Sequence, residues 1–260
     1  MLWLRNNTQV RVPELYAAFS RNGDNKPPYY LVLKYIEGQS LNWKLWKSLN
    51  DDQHEKIHSK ISEQLQLLRS VPSEGYYGRI DNQGFHPDLP LVRTDRKGVC
   101  GPYKTHEALL AVMYNAAELA AAFQGHSKYG FENFAPGQWD TLSKLKPILA
   151  NCNGKEPTLT HCDLSMANIV VSPLDGTMQN ASDFTVTFID WNIFGWYPAY
   201  TQRIVLNTGG VDWFDRTTLT CDNEGEKKWQ ERVAKYFSQS YEEQVALHKQ
   251  TTEMCSYRLR

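Results

Sequence analysis

Between Leu159 and Trp191 the sequence holds three polar side chains and a histidine whose types and spacing suit phosphoryl transfer. The run LTHCDLSMANIVVSP carries His161, Asp163 and Asn168, and FTVTFIDW, a little further on, brings Asp190 followed by Trp191. Transfer from ATP passes through a loose transition state, so a protein serves it chiefly by positioning groups and neutralising charge. A carboxylate has to take the proton of the acceptor hydroxyl, and Mg²⁺ needs hard oxygen ligands beside the phosphates. Asp163 suits the first task. The amide oxygen of Asn168 and the carboxylate of Asp190 suit the second, in the kinase order H-x-D-L-x-x-x-N with a later Asp.

Such a centre requires a device that brings Asn168 and Asp190 to one spot. NIVV reads as a short strand, PLDGT as a turn and FTVTFID as a second strand ending on Asp190. In the second strand Phe184, Val186 and Phe188 alternate with Thr185 and Thr187, a period of two. Upstream, VRVPELYAAF reads as an extended segment interrupted by Pro13, SRNGDNKPP as a turn and YYLVLKYI as a strand closed by Glu37-Gly38. Ser40 is placed to cap a helix carrying Leu41, Leu45 and Trp46.

Helical spacing dominates the rest. Ile57, Ile61, Leu65 and Leu68 predict a helix from Asp51 to Val71, with Asp51 and Asp52 at the positive end of its dipole. After a loop reaching Lys104, a second helix carries Leu109, Leu110, Met113, Ala117 and Ala120, and a shorter one covers Trp139 to Leu149. Trp229, Val233, Tyr236, Phe237 and Tyr241 predict one long amphipathic helix. The expected order is a little β structure, then mostly helix with a small β-hairpin set into it.

Bulk properties exclude several classes of protein. The 260 residues suffice for one large domain, or a small lobe and a large one, and the formal net charge is −1. No basic stripe of the kind that binds nucleic acid or a membrane surface is visible, and no apolar run reaches the length of a membrane span. The start, MLWLRNNTQV, meets polar residues too soon for a signal peptide. The 5 cysteines, Cys100, Cys152, Cys162, Cys221 and Cys255, are odd in number and widely spaced, which points to reduced thiols and a cytoplasmic location. The Asn-X-Thr/Ser matches at Asn6 and Asn180 are then chance, and the 8 Trp point to a well-packed core.

One rival motif is present. HEKIH, from His54 to His58, fits H-E-x-x-H, which on a helix places two imidazoles on one face with Glu55 as a base. Its flanks are polar, Lys56 sets a positive charge near the metal, and no third ligand follows at the expected spacing. A solvated helix face beside the Ile57–Ile61 stripe is the plainer expectation, with a zinc protease as the remote alternative.

The segment THCDLSMANI…FIDWNIFGWYPAY resembles the aminoglycoside phosphotransferase and choline kinase-like family, in particular its branch common in filamentous fungi. That family reads H-G-D-x-x-x-x-N followed by an Asp-Trp pair. The likeness extends back through RVPELYAAF, YYLVLKYIEGQSL and LRSVPSEGYYGRI, and covers nearly the whole chain. It implies an α+β, protein-kinase-like fold: residues 1–38 as the remnant of a nucleotide lobe and hinge, and 39–260 as a helical C-terminal lobe with the catalytic loop.

The same resemblance implies an ATP-dependent enzyme using Mg²⁺ to phosphorylate a hydroxyl of a small molecule, with no nucleic-acid or membrane partner. Asp163 becomes the catalytic base, and Asn168 and Asp190 the metal ligands. His161 becomes the scaffold histidine of the loop, and Lys34, Tyr35 and Ile36 the hinge whose backbone meets the adenine edge. Trp191 is expected to pack rather than to take part in chemistry. The acceptor is expected near Trp196, Asp212, Trp213 and Asp215.

The chain departs from the family pattern at two places. Cys162 stands where the family has Gly. No Gly-rich phosphate loop precedes the hinge, and neither Lys26 nor Lys34 sits where the paired Lys belongs, so the N-terminal lobe is expected to be incomplete. The competing expectation is therefore a catalytically inactive kinase-fold protein that binds a ligand or partner.

Overall fold

The computed structural model describes residues 1–20, 29–85, 100–115, 138–208 and 223–247. In chain order the elements are α1 (Leu2–Asn7), β1 (Leu15–Ser20), β2 (Tyr29–Leu33), β3 (Gln39–Ser40), α2 (Trp43–Ser48) and α3 (Asp51–Arg69). A helix over 106–115, α4, follows. Then come α5 (Gln138–Asn151), β4 (Pro157–His161), a 3₁₀ turn (Met166–Asn168), β5 (Ile169–Pro173), β6 (Phe184–Phe188), β7 (Phe194–Pro198), α6 (Thr201–Thr208) and α7 (Asn223–Ala234). The last described helix, α8, spans 242–247. The fold is mixed α+β. Its described residues form two units: Met1–Val71 with Leu164–Trp191, and Pro72–Asp163 with Asn192–Arg260.

In the first unit β5 and β6 pair antiparallel, Ile169 opposite Phe188 and Pro173 opposite Phe184, and β3 joins the free edge of β5. The period of two in β6 is real: Phe184, Val186 and Phe188 are all buried, with Thr185 and Thr187 between them half-buried. Helix α3 packs against β6 and buries Ile57, Ile61, Leu65 and Leu68. Its start is fixed by a capping box in which the Asn50 side chain accepts from the Gln53 N–H while the Gln53 side chain accepts from the Asn50 N–H. Gln53 also donates to the carbonyls of Met178 and Ala181, tying the first turn of α3 to the β5–β6 connection.

Three expectations for this unit change. Ser40 caps no helix. Its backbone pairs with Val170 in β3, and the cap of α2 passes to Asn42, which accepts from the Leu45 N–H at 2.9 Å. The strand expected over YYLVLKYI ends at Leu33, and the strand expected to end on Asp190 ends at Phe188. β1 and β2 form a separate two-stranded antiparallel ribbon with Tyr16, Phe19, Tyr29, Tyr30, Leu31 and Val32 all exposed.

The second unit contains a sheet that the hydrophobic pattern did not announce. β4 and β7 pair antiparallel from Pro157 opposite Pro198 to His161 opposite Phe194. Every residue of β7, and all of β4 after Pro157, is buried. The core beside it gathers Leu110, Leu149, Cys152, Tyr200, Ile204, Tyr241, Val245 and Leu247.

The long C-terminal helix is also corrected. It stops at Ala234, where the chain closes with i→i+3 bonds from Lys235, Tyr236 and Phe237, and the polar run Ser238–Ser240 leads into α8. Tyr241 turns into the core instead of continuing the helix, so tightly against Gly154 that a Cβ there would meet the ring at 2.6 Å. Ala117, Ala120 and most of SRNGDNKPP lie outside the described residues, as do Asp212, Trp213 and Asp215. Among the described residues, no helix is long and apolar enough to cross a membrane.

Candidate functional site

The β5–β6 hairpin places two of the sequence-predicted residues side by side. Asn168 ends the 3₁₀ turn just before β5, and its carbonyl accepts from the Ile189 N–H at 3.0 Å, one rung beyond the Ile169–Phe188 pair. Asp190 follows directly. Its φ of +58° is left-handed, a conformation Asp tolerates better than most side chains, and it breaks the strand so that Asp190 stands exposed beyond the ladder. Trp191 packs instead: it is 6% exposed, and its indole N–H donates to the Phe188 carbonyl at 2.8 Å.

The donor chemistry at this hairpin end fits Mg²⁺. Asn168 and Asp190 offer an amide oxygen and a carboxylate on adjoining positions, the hard oxygen ligands that ion prefers. The segment Lys34–Ile36 belongs to the same unit. It follows β2 as irregular chain, with the Lys34 N–H donating to the Glu14 carbonyl and Tyr35 exposed. Just after it, the Ser172 hydroxyl of β5 donates to the Glu37 carbonyl. Gly38 passes so close that a Cβ would lie 2.5 Å from the Val171 carbonyl oxygen. The expected hinge is thereby anchored to the hairpin that carries Asn168.

Asp163 lies in the second unit, two residues past the end of β4, and is half-buried. Its backbone N–H donates to the Nδ1 of His161 at 3.3 Å, so Nδ1 is the unprotonated nitrogen in this bond. His161 is fully buried and its backbone is held from α6. The Gln202 side-chain oxygen accepts from the His161 N–H at 2.9 Å, and the Gln202 amide donates to the His161 carbonyl at 3.2 Å. Gln202 carried no signal in the sequence, because its role depends on a contact between residues 41 apart in the chain.

Cys162, where the resembled family has Gly, is buried. Burial pushes its thiol up to about 12, helped by the charge of Asp163 and opposed by a hydrogen bond with Tyr197. Such a thiol is a packing group. Trp196, expected near the acceptor, is fully buried in β7, whose backbone bridges to Gly78. Gly195 permits this approach, since a Cβ there would sit 2.5 Å from the Gly78 carbonyl oxygen.

The H-E-x-x-H pair lies on α3 as expected, but its imidazoles meet an aromatic side chain. The Trp46 ring stacks on His54 at 3.9 Å and meets His58 edge-on at 5.1 Å, while His54 Nε2 lies 2.8 Å from the Trp46 carbonyl. No group of three or more metal-ligating side chains occurs among the described residues.

No family model and no curated protein matches the sequence. Solved structures do. The chain is similar to an aminoglycoside-3'-phosphotransferase of type VIII, at 14% identity over 98% of this chain and 77% of that one, with a TM-score of 0.50. It is also similar to an aminoglycoside phosphotransferase from Streptomyces rimosus solved with ADP and streptomycin, at 14% identity over 98% and 79%, TM-score 0.51. A third is a variant aminoglycoside 2'-phosphotransferase IIIa in its GDP complex, at 13% identity over 98% and 67%, TM-score 0.53. What the chain shares with these phosphotransferase structures is the fold.

Proposed function

We propose that the protein is an ATP-dependent phosphotransferase acting on a hydroxyl of a small molecule. The observation that carries this reading is the pairing of Asn168 with Ile189, which sets an amide and the Asp190 carboxylate on adjoining positions at one hairpin end. A chain with the fold of known phosphotransferases supports it. In this reading Asn168 and Asp190 hold Mg²⁺, which when bound neutralises charge on the nucleotide phosphates. The backbone of Lys34, Tyr35 and Ile36 meets the adenine edge.

Asp163 accepts the proton of the acceptor hydroxyl as its oxygen forms a bond to the γ-phosphorus. The bond from that phosphorus to the β–γ bridging oxygen breaks, and ADP leaves. His161 orients Asp163 through its backbone N–H and takes no proton from the acceptor.

ADP release from Mg-ATP, with water or a supplied hydroxyl compound as acceptor, tests the reading. Asp163→Asn should cut turnover by about 10²–10⁴-fold while leaving ATP binding in place. Turnover that survives this substitution would remove Asp163 from the role of base.

A further inference from the structure

We propose that Gln202 is a positioning residue for the turn that carries Asp163, a role that rests on the function proposed above. Gln202 is 0% exposed, and both ends of its side-chain amide are engaged with one residue. Its oxygen accepts from the His161 N–H and its nitrogen donates to the His161 carbonyl, at 2.9 and 3.2 Å. This is the pattern by which the N–H and C=O of one residue on a neighbouring antiparallel strand would pair with His161.

His161 is the last residue of β4, and β7 already lies alongside it through Phe194. The amide of Gln202 therefore acts as a one-residue strand on the opposite side, at the point where the ladder ends and the turn begins. The constraint passes on, because the Nδ1 of the same histidine accepts from the Asp163 N–H. A side chain on α6 thus fixes the backbone two residues before the base, and the base hangs from the imidazole of that residue.

The choice of side chain follows from the task. A side-chain amide presents a donor and an acceptor side by side in one plane, which engaging both groups of His161 requires. A carboxylate could accept from the His161 N–H but could not donate to its carbonyl. An apolar side chain of the same length would leave both His161 groups buried without these partners, and such groups are costly.

Two variants of the full 260-residue chain test this, Gln202→Met and Gln202→Glu, read by residue-level hydrogen exchange and by steady-state turnover of Mg-ATP. In Gln202→Met the His161 amide should exchange about tenfold faster or more, with the core amides of α3 unchanged. Turnover should fall about 10- to 100-fold in kcat, with KM for ATP unchanged, because Gln202 acts on the turn and not on the nucleotide. Gln202→Glu retains the accepting oxygen, so its His161 amide should stay slow while kcat falls by less.

An unchanged His161 exchange rate in Gln202→Met overturns the proposal, as does a wild-type kcat in that variant. If Gln202→Met does not fold, free exchange of the His161 amide in Gln202→Glu overturns it equally. Wild-type protein without any ATP turnover would instead refute the phosphotransferase reading. The exchange contrast would then decide by itself whether Gln202 holds the turn.

Discussion

Ile189 gives its backbone N–H to the carbonyl of Asn168, and that single bond sets Asp190 one residue past the last rung of the β5–β6 hairpin. The left-handed φ of Asp190 makes the position selective in two independent ways. Asp190→Asn keeps a side chain that tolerates this conformation and removes the charge, so thermal melting should be unchanged while Mg²⁺-dependent nucleotide binding is lost. Asp190→Val places a β-branched residue where it is strained, at a cost of about 1–3 kcal/mol. Its melting temperature should drop by roughly 2–10 °C. Circular-dichroism melts of both variants check the pair, and equal stability would contradict the backbone argument.

Cys162 sits between His161 and Asp163 yet should be chemically silent. With its thiol pushed up to about 12 by burial, Cys162 stays in the thiol form at the mildly alkaline pH of alkylation. Peptide mapping after iodoacetamide treatment of the folded protein should find Cys162 unmodified, and denaturant should expose it. Rapid alkylation in the native state would show that the segment after β4 is open to solvent.

His106 gives the stability a defined pH slope. It lies buried with Nε2 3.3 Å from the Tyr200 hydroxyl, and burial lowers its pKa, with Glu107 pushing it up and Lys155 pushing it down. A histidine of this kind binds a proton more readily when the chain is unfolded. Its contribution is therefore whole above the unfolded pKa, about 6.5, and is lost as pH falls below that value. The melting temperature should fall between about pH 7.5 and about pH 5.5, and fall less in His106→Gln. Equal slopes in the two proteins would remove His106 as a cause.

The parts of the fold legible in the sequence are those that bury one face. Phe184, Val186 and Phe188 alternate with threonines because β6 has a buried side and a half-buried side, and Ile57, Ile61, Leu65 and Leu68 recur because α3 does too. β4 and β7 were not legible because both faces of each are buried: FGWYP has no period, and the alternation in PTLTH is too short to mark a strand by itself. Gly195 gives β7 no side chain to signal a strand, yet it is there to admit Gly78.

The candidate site divides in the same way. The spacing of His161, Asp163 and Asn168, and the hairpin leading to Asp190, could be read from the chain. The left-handed turn at Asp190 and the grip of Gln202 on His161 could not, because each depends on where the backbone goes after its local pattern has ended. At α2 the cap moved from Ser40 to Asn42 for a similar reason: the pairing of Ser40 with Val170 had taken its backbone.

The most direct test of the phosphotransferase reading is calorimetric titration of the wild-type chain and of Asp190→Asn with ATP, each with Mg²⁺ and with EDTA. The reading requires Mg²⁺ to strengthen ATP binding to the wild type by about tenfold or more, and to add nothing in Asp190→Asn. Absence of ATP binding at millimolar Mg-ATP, or a Mg²⁺ increment that persists without the Asp190 carboxylate, would contradict it.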